Sequence, residues 1–276
     1  MTSIVVCGAT GRLGGRVARR LAEAGVAQRL LVRDPARAPS LEGADVAVAE
    51  YRDRDAVRRA LEGAGVVLMV SGSESPDRVD QHRAFIDAAA DAGAGHVVYT
   101  SFVGAAPDSV FTLARDHWAT EEHLRASGLT WTFLRDNLYA DFLPLMVGED
   151  GVIRGPGGDG RAAVVVQDDI AEAAVGVLRD PAPHAGRTYD LTGPEALSFA
   201  EMARIITAAT GRAVRYHDET LEEAYASRAR YGAPDWQVEA WVSTYTSVAA
   251  GELAAVSPAI EQLTGRPATS LGRLLA

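Results

Sequence analysis

The first sixteen residues constrain this chain more than any others: Met-Thr-Ser-Ile-Val-Val-Cys-Gly-Ala-Thr-Gly-Arg-Leu-Gly-Gly-Arg. Ser3 to Cys7 is a short apolar run with the β-branched bias of a buried parallel strand. Gly8, Gly11 and Gly14 follow at the spacing G-x-x-G-x-x-G, and the chain then turns helical, with Leu13, Val17 and Leu21 on one face. Glycines at this spacing also serve as plain connectors, so the argument rests on the strand before them and the helix after them. In that context the glycines let the backbone bend tightly and approach a dinucleotide pyrophosphate, whose charge then sits at the helix N-terminus.

With 276 residues, 47% of them hydrophobic, the chain has room for one large α/β domain and a small appendage. No apolar run reaches the ~18 residues of a membrane span. Strand one begins almost at once, with no basic segment and signal-type apolar stretch ahead of it, so the expectation is a cytoplasmic protein that engages no membrane. Cys7 is the one cysteine, which rules out an intrachain disulfide and a cysteine-based metal cluster. A formal net charge of −10 argues against a nucleic-acid partner, which needs a basic surface. All 27 basic residues are arginine; the chain has no lysine. That excludes a lysine Schiff base, a Walker-type phosphate lysine and a Tyr-x-x-x-Lys catalytic pair, while arginine's planar fork suits phosphate binding.

Taken in order, helix one ends near Gly25 and Arg29 to Val32 reads as strand two, followed by Arg33-Asp34-Pro35. In a dinucleotide fold this strand end meets the adenosine ribose, where an acidic residue favours NAD and an arginine pairs with a 2′-phosphate. Arg33 holds the position, with Arg12 and Arg37 nearby, so NADP (NADPH) is preferred. Asp34 leaves NAD open if it points inward, and a plain turn of solvated charges remains an alternative. Val46 to Ala49 is a third strand. Tyr51 and Arg52 fall at the expected adenine edge or in a simple turn, and Asp53 is placed to cap a helix. Val66 to Val70 is a fourth strand ending in Ser71-Gly72-Ser73, small residues that leave room for the nicotinamide half. A helix from Pro76 and Asp77 to about Ala92 precedes strand five, His96 to Thr100, with Ser101 after it. The helix Thr112 to Ser127 places Leu113, His117, Glu121 and Leu124 on one face. Strand six is Thr130 to Leu134. This alternation predicts an α/β fold, a doubly wound parallel sheet (Rossmann), over residues 1–150.

Residues 151–276 read as a smaller substrate-side α/β lobe, with elements of 162–192 partly returning to the sheet. Gly148 to Gly160 is the loop-rich stretch. Beyond it come a strand at Ala162 to Val166, a helix capped by Asp168 or Asp169 and running to about Leu178, and a strand at Thr188 to Leu191. Ser198 caps a helix to Thr210, Val214 to His217 is a last strand, and Trp236 to Val242 is helical.

Gly8-Ala9-Thr10-Gly11-Arg12-Leu13-Gly14, Leu31-Val32-Arg33-Asp34-Pro35, Tyr99-Thr100-Ser101, Arg135-Asp136-Asn137-Leu138-Tyr139 and Val166-Gln167-Asp168-Asp169-Ile170-Ala171 resemble the NmrA-like branch of the atypical short-chain dehydrogenase/reductases, and within it the bacterial NADPH:quinone oxidoreductases. The resemblance spans nearly the whole chain and weakens after about Thr210. It implies a Rossmann domain that binds NADP through Gly8, Thr10, Gly11, Arg12, Leu13, Gly14, Arg33, Arg37, Ser71, Gly72, Ser73, Thr100 and Ser101, with a site in the cleft between domain and lobe. It places Ser101 where the family's catalytic serine ends strand five, and Asn137 and Tyr139 at the nicotinamide and substrate walls.

One departure from the family pattern bears on chemistry. Where members with full dehydrogenase activity carry Tyr-x-x-x-Lys, this chain offers His117-Trp118-Ala119-Thr120-Glu121. His117 reads either as a proton donor to a carbonyl oxygen or as a satisfied polar residue beside the cofactor; Tyr139 reads either as a site residue or as core. The remaining histidines, His82, His96, His123, His184 and His217, lack ligand spacing, so no metal is expected. The leading function is NADPH-dependent hydride transfer to a quinone or similar conjugated electrophile, because the resulting anion takes its proton from water without a lysine-tuned acid. The alternatives are a non-enzymatic NADP-sensing regulator and a tailoring ketone or enone reductase. The partner is a small-molecule substrate, and the protein is a monomer or homodimer.

Overall fold

In the computed structural model, which describes residues 3–276, β1 (Ile4–Cys7) is buried along its whole length. The Cys7 thiol lies inside the core as a free cysteine, and burial pushes its pKa up to about 12. After β1 come α1 (Arg12–Glu23), β2 (Gln28–Val32) and β3 (Ala44–Val48), then α2 (Arg54–Ala60), β4 (Val66–Met69), α3 (Arg78–Asp91), β5 (His96–Phe102), α4 (Thr112–Ala126) and β6 (Thr130–Asp136). Further on lie β7 (Val152–Gly155), β8 (Arg161–Ala162), α5 (Gln167–Arg179), β9 (Arg187–Leu191), β10 (Leu197–Ser198), α6 (Phe199–Thr210), β11 (Arg215–Asp218), α7 (Leu221–Arg228), α8 (Asp235–Ala249), α9 (Ala259–Thr264) and α10 (Leu271–Leu275).

Seven strands form one sheet in the order β3-β2-β1-β4-β5-β6-β9. The pairings from β3 through β5 are parallel, with Val5 opposite both Arg29 and Val67. Parallel central strands are covered on both faces, which explains why β1 and β4 read as unbroken apolar runs rather than alternating ones. This is the doubly wound sheet expected from the alternation of strands and helices. The strand order reverses direction between β1 and β4, the place where such sheets open a crevice at their carboxyl ends.

The chain folds into two compact units. The first comprises the described residues up to Ser101, Asp116–Arg135 and Gln167–Tyr189; the second comprises Phe102–Arg115, Asp136–Val166 and Asp190–Ala276. The division is therefore not a single cut at 150: residues 102–115 and 136–150 fold with the second unit, and 167–189 with the first. The reason is that α5 packs on α1, where Asp168 accepts from Arg16 at 3.0 Å and lies 3.3 Å from Arg20, and that the chain then supplies an edge strand to the sheet. Asp168 spends its carboxylate on that pairing; α5 starts at Gln167, ahead of the expected cap.

The second unit has its own core of Ile153, Val164, Phe199, Met202, Ile206 and Val248, among others, and two small sheets, β10–β8 antiparallel and β11–β7 parallel. Two expectations change here. β7 lies inside the stretch expected to be loop, because Ile153 is fully buried and Val152–Gly155 pairs with β11. The strand expected over 162–166 shrinks to β8, and Val165 instead makes an isolated bridge to Tyr139. Two of the expected caps form: Asp53 accepts from Ala56 N at 3.0 Å, and Ser198 with Glu201 forms a reciprocal capping box. Among the described residues, no helix is long and apolar enough to cross a membrane.

Candidate functional site

At the crevice end of β1 the chain turns at Gly8, whose φ of 68° is one that glycine adopts freely. Gly11 N–H donates to Gly8 O at 2.8 Å to close the turn. Gly11 is the N-cap of α1 and brings no capping side chain, and no acidic residue occupies the first helical turn. The positive end of the helix dipole therefore has no side-chain anion of its own to neutralise it. The three motif glycines do different work. Gly11 and Arg12 are exposed, whereas Leu13 is buried, so only the backbone of Leu13 can serve a ligand. A Cβ on Gly14 would lie 2.4 Å from Gly8 O and 2.7 Å from Cys7 O, so Gly14 exists to let α1 seat on the turn.

At the end of β2 Arg33 and Arg37 are exposed. Asp34 accepts from Ala36 N at 3.0 Å and caps the 3₁₀ turn Pro35–Arg37. Its Oδ1 is thus used locally, and Arg33 beside it is exposed. Tyr51 is turned inward rather than presented as an adenine wall: its hydroxyl donates to Val70 O at 2.7 Å and its ring packs on Phe85. Arg52 pairs with Glu50 at 2.8 Å.

The loop leaving β4 is held from behind by a buried polar network. Ser71 N–H donates to Thr100 Oγ1 at 2.9 Å. The Gly72 peptide is clamped on both sides: its N–H donates to His82 Nε2 at 2.8 Å and its carbonyl accepts from Arg78 Nε at 3.0 Å. With Nε2 accepting, the proton of His82 sits on Nδ1 and is donated to Thr120 Oγ1 at 2.9 Å; Thr120 in turn donates to Asp116 O at 2.8 Å. Arg78 also donates to His117 Nε2 at 3.1 Å, which leaves His117 Nδ1–H to donate to the Tyr99 hydroxyl at 2.9 Å. Asp116, 3.6 Å away, supplies Arg78 with a counter-charge. Burial, reinforced by Arg78, holds the pKa of His117 well below the usual histidine value and that of His82 down to about 3.

This geometry corrects the proton-donor reading of His117. Both of its nitrogens are engaged, it is buried and it stays neutral, so it acts as the anchor of Arg78 and hence of Gly72. Ser101 is also placed differently from expectation. β5 runs on through Phe102, and Ser101 Oγ, buried, donates to Glu121 Oε1 at 2.6 Å. Glu121 is fully buried and is held by Arg135 at 2.7 Å and Arg125 at 3.0 Å. Of the predicted helix face, His117, Glu121 and Leu124 are buried, whereas Leu113 is half-buried.

In the second unit, Asn137 does not aim its amide outward as a nicotinamide wall. Its Nδ2 donates to Leu253 O at 3.0 Å and its Oδ1 accepts from Leu138 N at 2.7 Å, so it ties two backbone segments together. Tyr139 is half-buried, and its hydroxyl donates to Asp136 Oδ2 at 2.8 Å. This unit also has an open cavity of about 1390 Å³ walled by Met146, Arg154, Tyr231, Trp241 and Tyr245, and none of the residues singled out from the sequence lines it.

The sequence profile of the NmrA-like family matches residues 1–271. The chain belongs to the NmrA-like family. Among its relatives in the family, the NAD(P)H azoreductase of Xenophilus azovorans is 36% identical over 270 residues, covering 96% of this chain and 94% of that protein. Quinone oxidoreductase 2 of Escherichia coli is 34% identical over 276 residues, covering 97% and 96%. A crystal structure of that NADPH-dependent quinone oxidoreductase with NADPH superposes with a TM-score of 0.90 at 33% identity, over 100% of this chain and 98% of the other. The NADP(H) complex of triphenylmethane reductase from Citrobacter sp. superposes with a TM-score of 0.88 at 30% identity, over 99% and 98%.

In this NmrA-like chain the residues that sequence reasoning passed over are Arg78, His82, Thr120 and Asp136. A signal was present for the first two. Arg78 and His82 share the helical spacing of the apolar residues Phe85, Ile86 and Ala89 on α3, and polar groups on a buried helix face must have built-in partners. Asp136 alternates with Thr132 and Leu134 onto a buried face of β6, where a carboxylate is equally conspicuous.

Proposed function

We propose that the chain is an NADPH-dependent oxidoreductase that transfers hydride to a quinone or similar conjugated electrophile. The observation that carries this reading is the pairing of an uncapped, acid-free α1 N-terminus behind Gly8–Gly11 with a ribose-end position where Arg33 is exposed while Asp34 is tied into its own turn. These residues fit the cofactor: backbone amides of the turn and of α1 for the pyrophosphate, Arg33 and Arg37 for the 2′-phosphate, and Ser71, Gly72, Ser73 and Thr100 at the reactive end. When bound, the nicotinamide supplies the hydride. The chain's own contribution is to fix the Gly72 backbone through His82 and Arg78, so that small displacements at the reacting end are suppressed. That Escherichia coli quinone oxidoreductase 2 and the Xenophilus azovorans azoreductase match over almost the whole chain supports the choice of acceptor class.

A regulator that senses NADP without turnover is the second reading, favoured by the internal engagement of His117, Ser101 and Asn137. Cofactor titration with NADPH and NADH, followed by turnover with a panel of quinones, separates the two. In the titration, Arg33→Ala is expected to weaken NADPH selectively, by about 1.5–3 kcal/mol for a lost charge-assisted contact. Equal weakening of both cofactors would remove the 2′-phosphate assignment.

A further inference from the structure

The open cavity of about 1390 Å³ in the second unit contains none of the residues assigned to NADPH. We propose that it is a binding site for a planar aromatic anion, an arene carrying a carboxylate or sulfonate, seated on Tyr231 and Trp241 with its charge on Arg230. The site is complete within the second unit, to which every lining residue belongs. It needs no cofactor and goes beyond the reductase reading.

Two rings give the cavity its shape. Tyr231 ends the 3₁₀ turn that follows α7, where Gly232 at φ 60° turns the chain away, and Trp241 lies on α8. Their centroids are 5.8 Å apart and their planes cross at 86°. They therefore form a corner in which a flat ligand stacks on one ring and meets the other edge to face. Tyr231 is 59% exposed and Leu145, on the same cavity, 69% exposed, with Met146 and Val147 extending the apolar wall. A ligand lying here removes that surface from water. The volume exceeds the roughly 300–1,000 Å³ of ordinary small-molecule pockets, so a fused ring system fits. Among the described residues nothing accepts the Trp241 indole N–H, which leaves a donor at the corner.

The charges around the cavity select the sign of the ligand. Arg154 gives both terminal nitrogens to Asp150. Arg228 is buried, bonded to Glu219 at 2.8 Å, and its guanidinium lies 5.2 Å from the Tyr245 ring. Glu149 is exposed, and Arg212 donates to its carbonyl and to that of Gly148, so a cation stands beside it. Arg230 is the remaining charged lining residue. Its guanidinium lies 4.9 Å from the Tyr231 ring and donates to the Tyr231 hydroxyl at 2.8 Å, and among the described residues it enters no ion pair. A guanidinium on one face of Tyr231 disfavours a second cation at that ring and favours an electron-rich one. A carboxylate or sulfonate that reaches Arg230 accepts from its planar fork in charge-assisted hydrogen bonds, stronger than the neutral phenol provides.

The test is a fluorescence titration of the full chain with 1-anilinonaphthalene-8-sulfonate and with its neutral counterpart N-phenyl-1-naphthylamine. Excess NADP⁺ is present throughout to keep the aromatic anion out of the dinucleotide site. The wild type is expected to bind the sulfonate saturably at one site, about fivefold or more tightly than the neutral compound. Arg230→Gln weakens the sulfonate about tenfold and leaves the neutral compound within about twofold, whereas Tyr231→Ala weakens both by about fivefold or more. Both side chains are exposed, so the variants keep the parent's fold, which urea unfolding checks. Equal affinity for the two compounds, sulfonate binding unchanged in Arg230→Gln, unsaturable binding, or no binding in the presence of NADP⁺ would each overturn the site. None of these results bears on hydride transfer from NADPH.

Discussion

Gly14→Val is expected to prevent stable folding, whereas Gly11→Val folds and loses its NADPH affinity. The two positions sit in one motif but face different neighbours. A Cβ at Gly14 meets Gly8 O, Gly8 C and Cys7 O at 2.4, 2.6 and 2.7 Å, all backbone atoms of the turn and of buried β1. No side-chain rotation relieves such contacts; α1 must lift from the sheet, and its buried residues Leu13, Val17, Ala18 and Leu21 with it. Overpacking of this kind costs about 3 kcal/mol or more when backbone has to move. Gly11 is exposed and extended, with φ −94° and ψ 178°, and a Cβ there finds only Gly8 O at 3.2 Å. Valine adopts that conformation, so its branched side chain occupies the space in front of the helix N-terminus and weakens NADPH by about tenfold or more. Urea unfolding and NADPH titration on the two variants check this. A folded Gly14→Val of wild-type stability, or a Gly11→Val that binds NADPH as well as the parent, would contradict the division of roles.

The second large effect is acid lability set by His82. Burial and Arg78 lower the folded-state pKa of His82 to about 3, so the folded protein keeps it neutral while the unfolded chain takes up a proton below about pH 6.5. The unfolded state then binds more protons, so the stability due to this group is complete above pH 6.5 and is lost as pH falls toward 3. By about pH 4.5 the loss is on the order of 2–3 kcal/mol, and His117, lowered in the same direction, adds to it. His82→Gln is expected to be less stable than the parent at neutral pH, because Gly72 N–H and Thr120 lose their partner, yet to lose less further stability on acidification. Denaturant unfolding near neutrality and near pH 4.5 measures both slopes. Identical slopes would mean that His82 is protonated in the folded protein and that the clamp on Gly72 is drawn with the wrong tautomer.

The frame of the fold was legible because its signals are local and redundant. Val66 to Met69 announces a central strand by being apolar on both faces, and Gly8 to Gly14 announces a tight turn into a helix. The exposed position of Arg33 was legible for the same reason, since it follows β2 immediately. What the sequence left undetermined were roles fixed by non-local partners. His117 carries the same letter whether it donates to a substrate or is held between Arg78 and Tyr99, residues 39 and 18 positions away. Asn137 spends its amide on Leu253, 116 residues on. Asp34 caps its own turn through Ala36 N, a contact set by the backbone of the loop after β2. β7 went unseen because its partner, β11, lies some sixty residues later.

Hydride transfer from NADPH is the central claim, and a primary isotope effect measures it most directly. With NADPH deuterated at the transferred position of nicotinamide C4 and a quinone in excess, cofactor oxidation is expected to slow about two- to fivefold relative to unlabelled NADPH once chemistry limits the rate, and NADH is expected to need higher concentrations for the same rate. Tight NADPH binding with no oxidation by any quinone would contradict the account and leave the sensing role standing.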